Sequence, residues 1–139
     1  MAELAHSDLV SGDRVLLLTE DSALSAQMSA LLQKRSCSWL HMPTAESALE
    51  LGKQESFDLI VLDSEALEPT QASRLLSRLR HDPRFNRAPF LLLVPHSTHL
   101  NEEQRQQLGT DVQITPSPLD PGDFLLKVST QLRARKLRS

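Results

Sequence analysis

The sequence predicts an α/β domain in which five parallel strands form one sheet with helices packed on both faces. Three observations lead there. Two short runs, FDLIVLD at 57–63 and FLLLV at 90–94, are apolar on both alternating faces, as strands in the middle of a parallel sheet are. Stretches with apolar residues at helical spacing separate the strand-like runs, so strand and helix alternate five times. The chain of 139 residues, 40% hydrophobic and 24% charged, has the size and composition of one globular domain.

Residues 1–12 show little apolar periodicity and read as a flexible lead-in. The domain is expected over 13–135, with a basic tail or the start of a linker over 136–139. Strand 14–18 (RVLLL) runs into Thr19-Glu20-Asp21, and Ser22 is placed to cap a helix. That helix carries a stripe of Leu24, Met28, Leu31 and Leu32 and ends near Arg35. Residues 37–42 form a strand of mixed polarity, and Pro43-Thr44 opens a second helix with a close-packing face of Ala45, Ala48, Leu49 and Gly52. Strand three is 57–63. Polar residues 64–70 lead to a helix with Ala72, Leu75, Leu76 and Leu79 on one side, closed at His81-Asp82-Pro83. Pro95 stops strand 90–94. Asn101 followed by Glu102, Glu103 and Gln104 signals a helix with reciprocal capping, and Gly109 ends it. After a short strand at 112–115, Asp120-Pro121 starts the last helix, with Phe124, Leu125, Val128 and Leu132 inward.

Right-handed crossovers turn this alternation into a flavodoxin-like three-layer sandwich with five helices and strand order 2-1-3-4-5. Ligands of such sheets bind at the carboxyl edge, in the crevice between strands one and three. Asp63 ends strand three there, and Glu20 and Asp21 follow strand one, so three carboxylates share the crevice. Carboxylate oxygens suit a hard divalent cation such as Mg²⁺, beside which Asp63 is a candidate nucleophile toward a phosphoryl donor. Strand one is followed by neither glycines nor a lysine, which excludes loops that cradle phosphates, and the acidic edge argues against an anionic flavin. A net charge of −3 gives no bulk attraction to nucleic acid or to an anionic membrane. No apolar run reaches the ~20 residues of a membrane span, and Met1 to Gly12 lacks the pattern of a signal peptide. The lone Cys37 cannot form an internal disulfide, so a cytoplasmic location is expected.

The segments VLLLTED (15–21), FDLIVLD (57–63), LRHDP (79–83), PFLLLV (89–94) and PLDP (118–121) together resemble a response-regulator receiver domain of two-component signalling, from about Arg14 to Arg135. The resemblance implies a chemotaxis-regulator-like fold with Asp63 as phosphoacceptor, charged from the phosphohistidine of a histidine kinase or phosphotransfer protein. It also implies Mg²⁺ beside Asp63, with Glu20 and Asp21 as the other candidate ligands, and no activity beyond self-phosphorylation. Four signature positions depart from the family pattern. Thr19 stands where the first of two acids is expected, Val94 where a Ser or Thr hydroxyl is expected, Gln113 where an aromatic is expected, and Ser117 at the place of a Lys. Without the Lys, charge developing on a phosphoryl group lacks a fixed cation. Without the hydroxyl, phosphorylation has no differential contact with which to shift a conformational equilibrium. Thr19 offers only a neutral oxygen and the extra methylene of Glu20 displaces its carboxylate, so Mg²⁺ is expected to bind weakly or not at all. The alternative is a phosphorylation-independent pseudo-receiver, a module that binds a signalling partner through its last helices and strand five. An output domain or a second copy of the chain are further expected partners.

Four features stand outside this scheme. His96 and His99 read as solvated loop histidines near the crevice, able to supply positive charge at low pH. Trp39 is expected to pack against the sheet, and Cys37 to be a small core residue. The basic run 133–138 complements a helix C-terminus, and nothing in it marks nucleic-acid recognition.

Overall fold

The computed structural model describes residues 13–50, 57–64, 69–83, 85, 88–95, 100–109 and 112–138. Strands β1 (Arg14–Leu18), β2 (Ser38–Met42), β3 (Leu59–Asp63), β4 (Phe90–Pro95) and β5 (Val112–Ser117) alternate with helices α1 (Ser22–Lys34), α2 (Ala45–Glu50), α3 (Pro69–Arg80), α4 (Glu102–Leu108) and α5 (Pro121–Arg138). All neighbouring strands are parallel, in the order β2-β1-β3-β4-β5. This is the expected topology, and it places the switch point between β1 and β3.

The period-2 alternation of the strands divides the core into two layers. Leu16, Leu18, Ile60, Leu62, Phe90 and Leu92 point to one face, where Ala48, Ala72, Leu76, Leu79 and Leu108 from α2, α3 and α4 cover them. Val15, Leu17, Leu59, Val61, Leu91 and Leu93 point to the other, under Met28, Leu32, Phe124 and Val128 of α1 and α5. The runs that are apolar at every position are thus the strands buried on both sides. Polar contacts tie the layers at the amino edge: the Asp58 carboxylate accepts from the Arg14 amide at 2.8 Å, and the buried Gln131 amide donates to the Phe90 carbonyl at 2.9 Å. No helix among the described residues is long and apolar enough to cross a membrane.

Several boundaries differ from the sequence expectation, each for a local reason. Asp21, not Ser22, is the N-cap of α1: its side chain accepts from the amides of Ala23 and Leu24, and Ser22 becomes the first helical residue. The Thr44 hydroxyl accepts from the Ser47 amide at 3.0 Å, so α2 begins at Ala45. β5 extends to Ser117 because Pro116 and Ser117 continue its register against Val94 and Pro95. The basic run continues α5 as far as Arg138. Trp39 lies on the edge strand β2 with 37% of its surface exposed, so it is not the packed residue expected. Cys37 is buried, as expected. The α4 capping box at Asn101 and Gln104 is present with both arms formed. The lead-in, Gly52, His96 and His99 lie outside the described residues.

Candidate functional site

β1 and β3 run in register, Leu18 opposite Leu62, so the residues that follow them emerge side by side. These are Thr19 and Asp63. Thr19 is 2% exposed and fixed on all sides. Its amide donates to the Met42 carbonyl at 3.2 Å, and its carbonyl accepts from Nε2–H of His41 at 2.8 Å. Both contacts come from β2 and hold the Thr19 backbone in place. Its side chain then reaches across the strands: Oγ1 donates to Oδ2 of Asp63 at 2.7 Å. The same oxygen accepts from the Asp21 amide at 3.0 Å. A hydroxyl has one proton, and here the carboxylate takes it.

The other edge residues are committed by local structure. Oδ1 of Asp21 accepts from the amides of Ala23 at 3.0 Å and Leu24 at 3.1 Å, satisfying two of the donors that every helix start leaves open. Glu20 is exposed. Ser64, buried just after Asp63, donates its amide and its hydroxyl to the Leu93 carbonyl at 3.0 and 2.6 Å, which fixes the direction of the chain as it leaves β3.

A cleft of about 670 Å³ opens at this edge between α2 and α3. Leu18, Leu62 and Leu75 form its apolar floor, and Thr19, Glu20, Asp21 and Asp63 line the strand side. The opposite wall carries Arg74 and Arg78, one turn apart on α3. Arg78 pairs with Glu46 of α2 at 3.2 Å, both side chains being more than half exposed. Sequence reading passed over these two arginines. The signal was available in the spacing of Gln71, Arg74, Leu75 and Arg78, a helix face beside the buried stripe of Ala72, Leu76 and Leu79.

The three remaining signature positions do not line this cleft. Val94 is buried opposite Pro116, and Ser117 ends β5 opposite Pro95. Gln113 is half-buried on β5. A lysine does lie against β5, but it is occupied elsewhere. Lys127 of α5 donates to the Ile114 carbonyl at 2.9 Å and pairs with Asp123 at 3.2 Å. The Thr115 hydroxyl donates to Asp123 at 2.7 Å. That hydrogen bond, aided by Lys127 and opposed by partial desolvation, holds the Asp123 carboxyl below its ordinary range.

No family model and no curated protein matches the chain. Solved structures do. A CheY-like response regulator receiver domain protein from Methanospirillum hungatei superimposes with a TM-score of 0.74 at 18% identity, covering 92% of this chain and 99% of that one. The fold is that of a receiver domain. The receiver domain of a signal transduction histidine kinase from Syntrophus aciditrophicus gives 0.71 at 15% identity, over 88% of this chain and 92% of the other. That of a sensor histidine kinase from Pseudomonas aeruginosa gives 0.68 at 16% identity, over 87% and 98%, and holds a magnesium ion coordinated in its active site cleft.

The donor set of this receiver fold suits such an ion poorly. Among the described residues, no group of three or more His, Cys, Asp and Glu side chains is placed to hold a metal. Asp63 accepts the Thr19 proton, one oxygen of Asp21 serves the helix cap, and Arg74 and Arg78 stand on the facing wall. Mg²⁺ demands near-ideal octahedral geometry with oxygen lone pairs directed at it, and Thr19 brings to this edge a neutral hydroxyl already spent on Asp63.

Proposed function

We propose that the chain is a receiver module of two-component signal transduction that works by protein–protein contact, with Asp63 at the phosphoacceptor place and a contact surface set by the fold. Receiver domains are signalling modules rather than enzymes, and a histidine kinase, a phosphotransfer protein or another signalling protein is the expected partner. The observation that carries the reading is the β2-β1-β3-β4-β5 sheet with Asp63 at the carboxyl end of β3, inside the switch-point crevice.

Independence from phosphorylation is supported by what surrounds Asp63. Thr19 hydrogen-bonds the carboxylate that would have to attack, Val94 offers no hydroxyl to a phosphoryl group, and Lys127 is engaged by Asp123 and the Ile114 carbonyl. A phosphoryl group with no differential contact in two states shifts neither. The competing reading, a working phosphoacceptor in a phosphorelay, is favoured by the half-exposed position of Asp63 on the cleft.

Intact-mass analysis after incubation with acetyl phosphate and Mg²⁺ separates the two. The proposal predicts an unchanged mass. Addition of one phosphoryl group that disappears in Asp63→Asn would establish the phosphorelay reading instead.

A further inference from the structure

The hydrogen bond from Thr19 to Asp63 has a consequence for what the crevice can bind. We infer that Thr19 is the residue that sets the metal dependence of this crevice: it commits a hydroxyl to Oδ2 of Asp63 and puts no carboxylate of its own at the end of β1, so the crevice binds a divalent cation weakly. This rests on reading the crevice as the receiver site, but it concerns the chain's own donors rather than the phosphoryl chemistry.

Oγ1 of Thr19 has one proton and two lone pairs. The proton goes to Oδ2 of Asp63 at 2.7 Å, and one lone pair goes to the Asp21 amide at 3.0 Å. To ligate a cation shared with Asp63, the hydroxyl would have to turn its proton away and offer the remaining lone pair. Burial and a branched Cβ hold Oγ1 in place, and turning the proton about the Cβ–Oγ1 bond gives up the hydrogen bond to Asp63. Its backbone is pinned at both ends by β2, through Met42 and His41. The hydrogen bond therefore draws on the same carboxylate charge that a cation would use, and its donor is held in place.

A second, separate observation points the same way. α3 sets the guanidinium groups of Arg74 and Arg78 on the opposite wall of the same cleft. Arg78 is paired with Glu46, which lines the same cleft, and Arg74 adds a cation that lowers the affinity of the cleft for a divalent cation. The mechanism makes a single-residue prediction. Thr19→Asp replaces the proton donor by a third carboxylate beside Asp63 and Asp21, and converts the edge into an oxygen-ligand set.

Mg²⁺ and Mn²⁺ titrations followed by ¹H–¹⁵N amide spectra, reading signals of residues 19–21 and 63–64, test this on the full chain. The wild type is expected to show small, non-saturating shifts with Mg²⁺ and no selective Mn²⁺ broadening. Thr19→Asp is expected to bind Mg²⁺ saturably and about ten- to a hundredfold more tightly, and to lose that binding when Asp63→Asn is added. Thr19→Val keeps size and branching and removes only the hydroxyl, so it serves if Thr19→Asp fails to fold. Freed of its proton donor, Asp63 should then bind Mg²⁺ about tenfold more tightly than in the wild type. Saturable binding by the wild type that Asp63→Asn abolishes overturns the inference, as does a folded Thr19→Val or Thr19→Asp protein with unchanged affinity. The outcome is distinct from that of the labelling experiment. An Asp63 phosphoryl adduct formed without metal would overturn the phosphorylation-independent reading and leave this inference standing.

Discussion

Thr19 decides the character of the edge because it is a buried hydroxyl beside a carboxylate, and a carboxylate can only accept. The second residue with a clear electrostatic role is Asp123. Its carboxyl is held below the ordinary value of 3.8 chiefly by the Thr115 hydroxyl, with Lys127 adding to the effect. A folded-state value below the unfolded one means that this stabilisation is fully present above about pH 4 and is lost as pH falls through the lowered value. Urea unfolding between acidic and neutral pH should therefore show Asp123→Asn to be destabilised at pH 7 and converging on the wild type at low pH. A constant difference across the range would remove Asp123 from the account. At this scale the sequence was legible for the place of Asp63 and not for its partner. Thr19 was visible as a departure from two acids, but a hydrogen bond between the ends of β1 and β3 depends on register, which no local pattern states. The α1 cap shows a similar limit. Asp21 and Ser22 are adjacent and both suited to capping, and the choice falls to the residue whose amide already bonds Thr19.

Among the elements, helices are the better-marked in sequence where they carry their own end signals. α4 has seven residues and one buried side chain, Leu108, so packing alone holds it weakly. Its capping box supplies the difference: the Gln104 amide donates to Oδ1 of Asn101 at 2.8 Å, and the Asn101 amide donates to Oε1 of Gln104 at 2.9 Å. Asn101→Ala should lower stability by about 1 kcal/mol and speed amide exchange within 102–108, while Asn101→Asp should keep both near wild type. Equal exchange in the Ala variant would show that α4 is held by its packing instead. β2 was the strand least visible in sequence, since Trp39 and His41 alternate outward on a sheet edge and interrupt the apolar run. α3 was visible as a helix through its buried stripe. Its second face, with Arg74 and Arg78, could not be assigned to the cleft until α2 was seen opposite it.

For the molecule as a whole, topology followed from the alternation of strand and helix and from the handedness of parallel crossovers, two rules that leave few arrangements open. The order β2-β1-β3-β4-β5 then brings the ends of β1 and β3 together whatever residues occupy them. Fold and chemistry separate at that point. A receiver architecture supplies the crevice, and Thr19 and Asp63 stand side by side at its two strand ends. At that edge a Thr19 hydroxyl holds the Asp63 carboxylate where the switch-point crevice opens. The most direct test is a crystal structure of the wild-type protein grown in an excess of Mg²⁺. The account predicts Oγ1 of Thr19 within hydrogen-bond distance of Oδ2 of Asp63, as in the 2.7 Å contact here, with no metal beside it. An octahedral Mg²⁺ ligated by Asp63, with the Thr19 hydroxyl turned away, would contradict it.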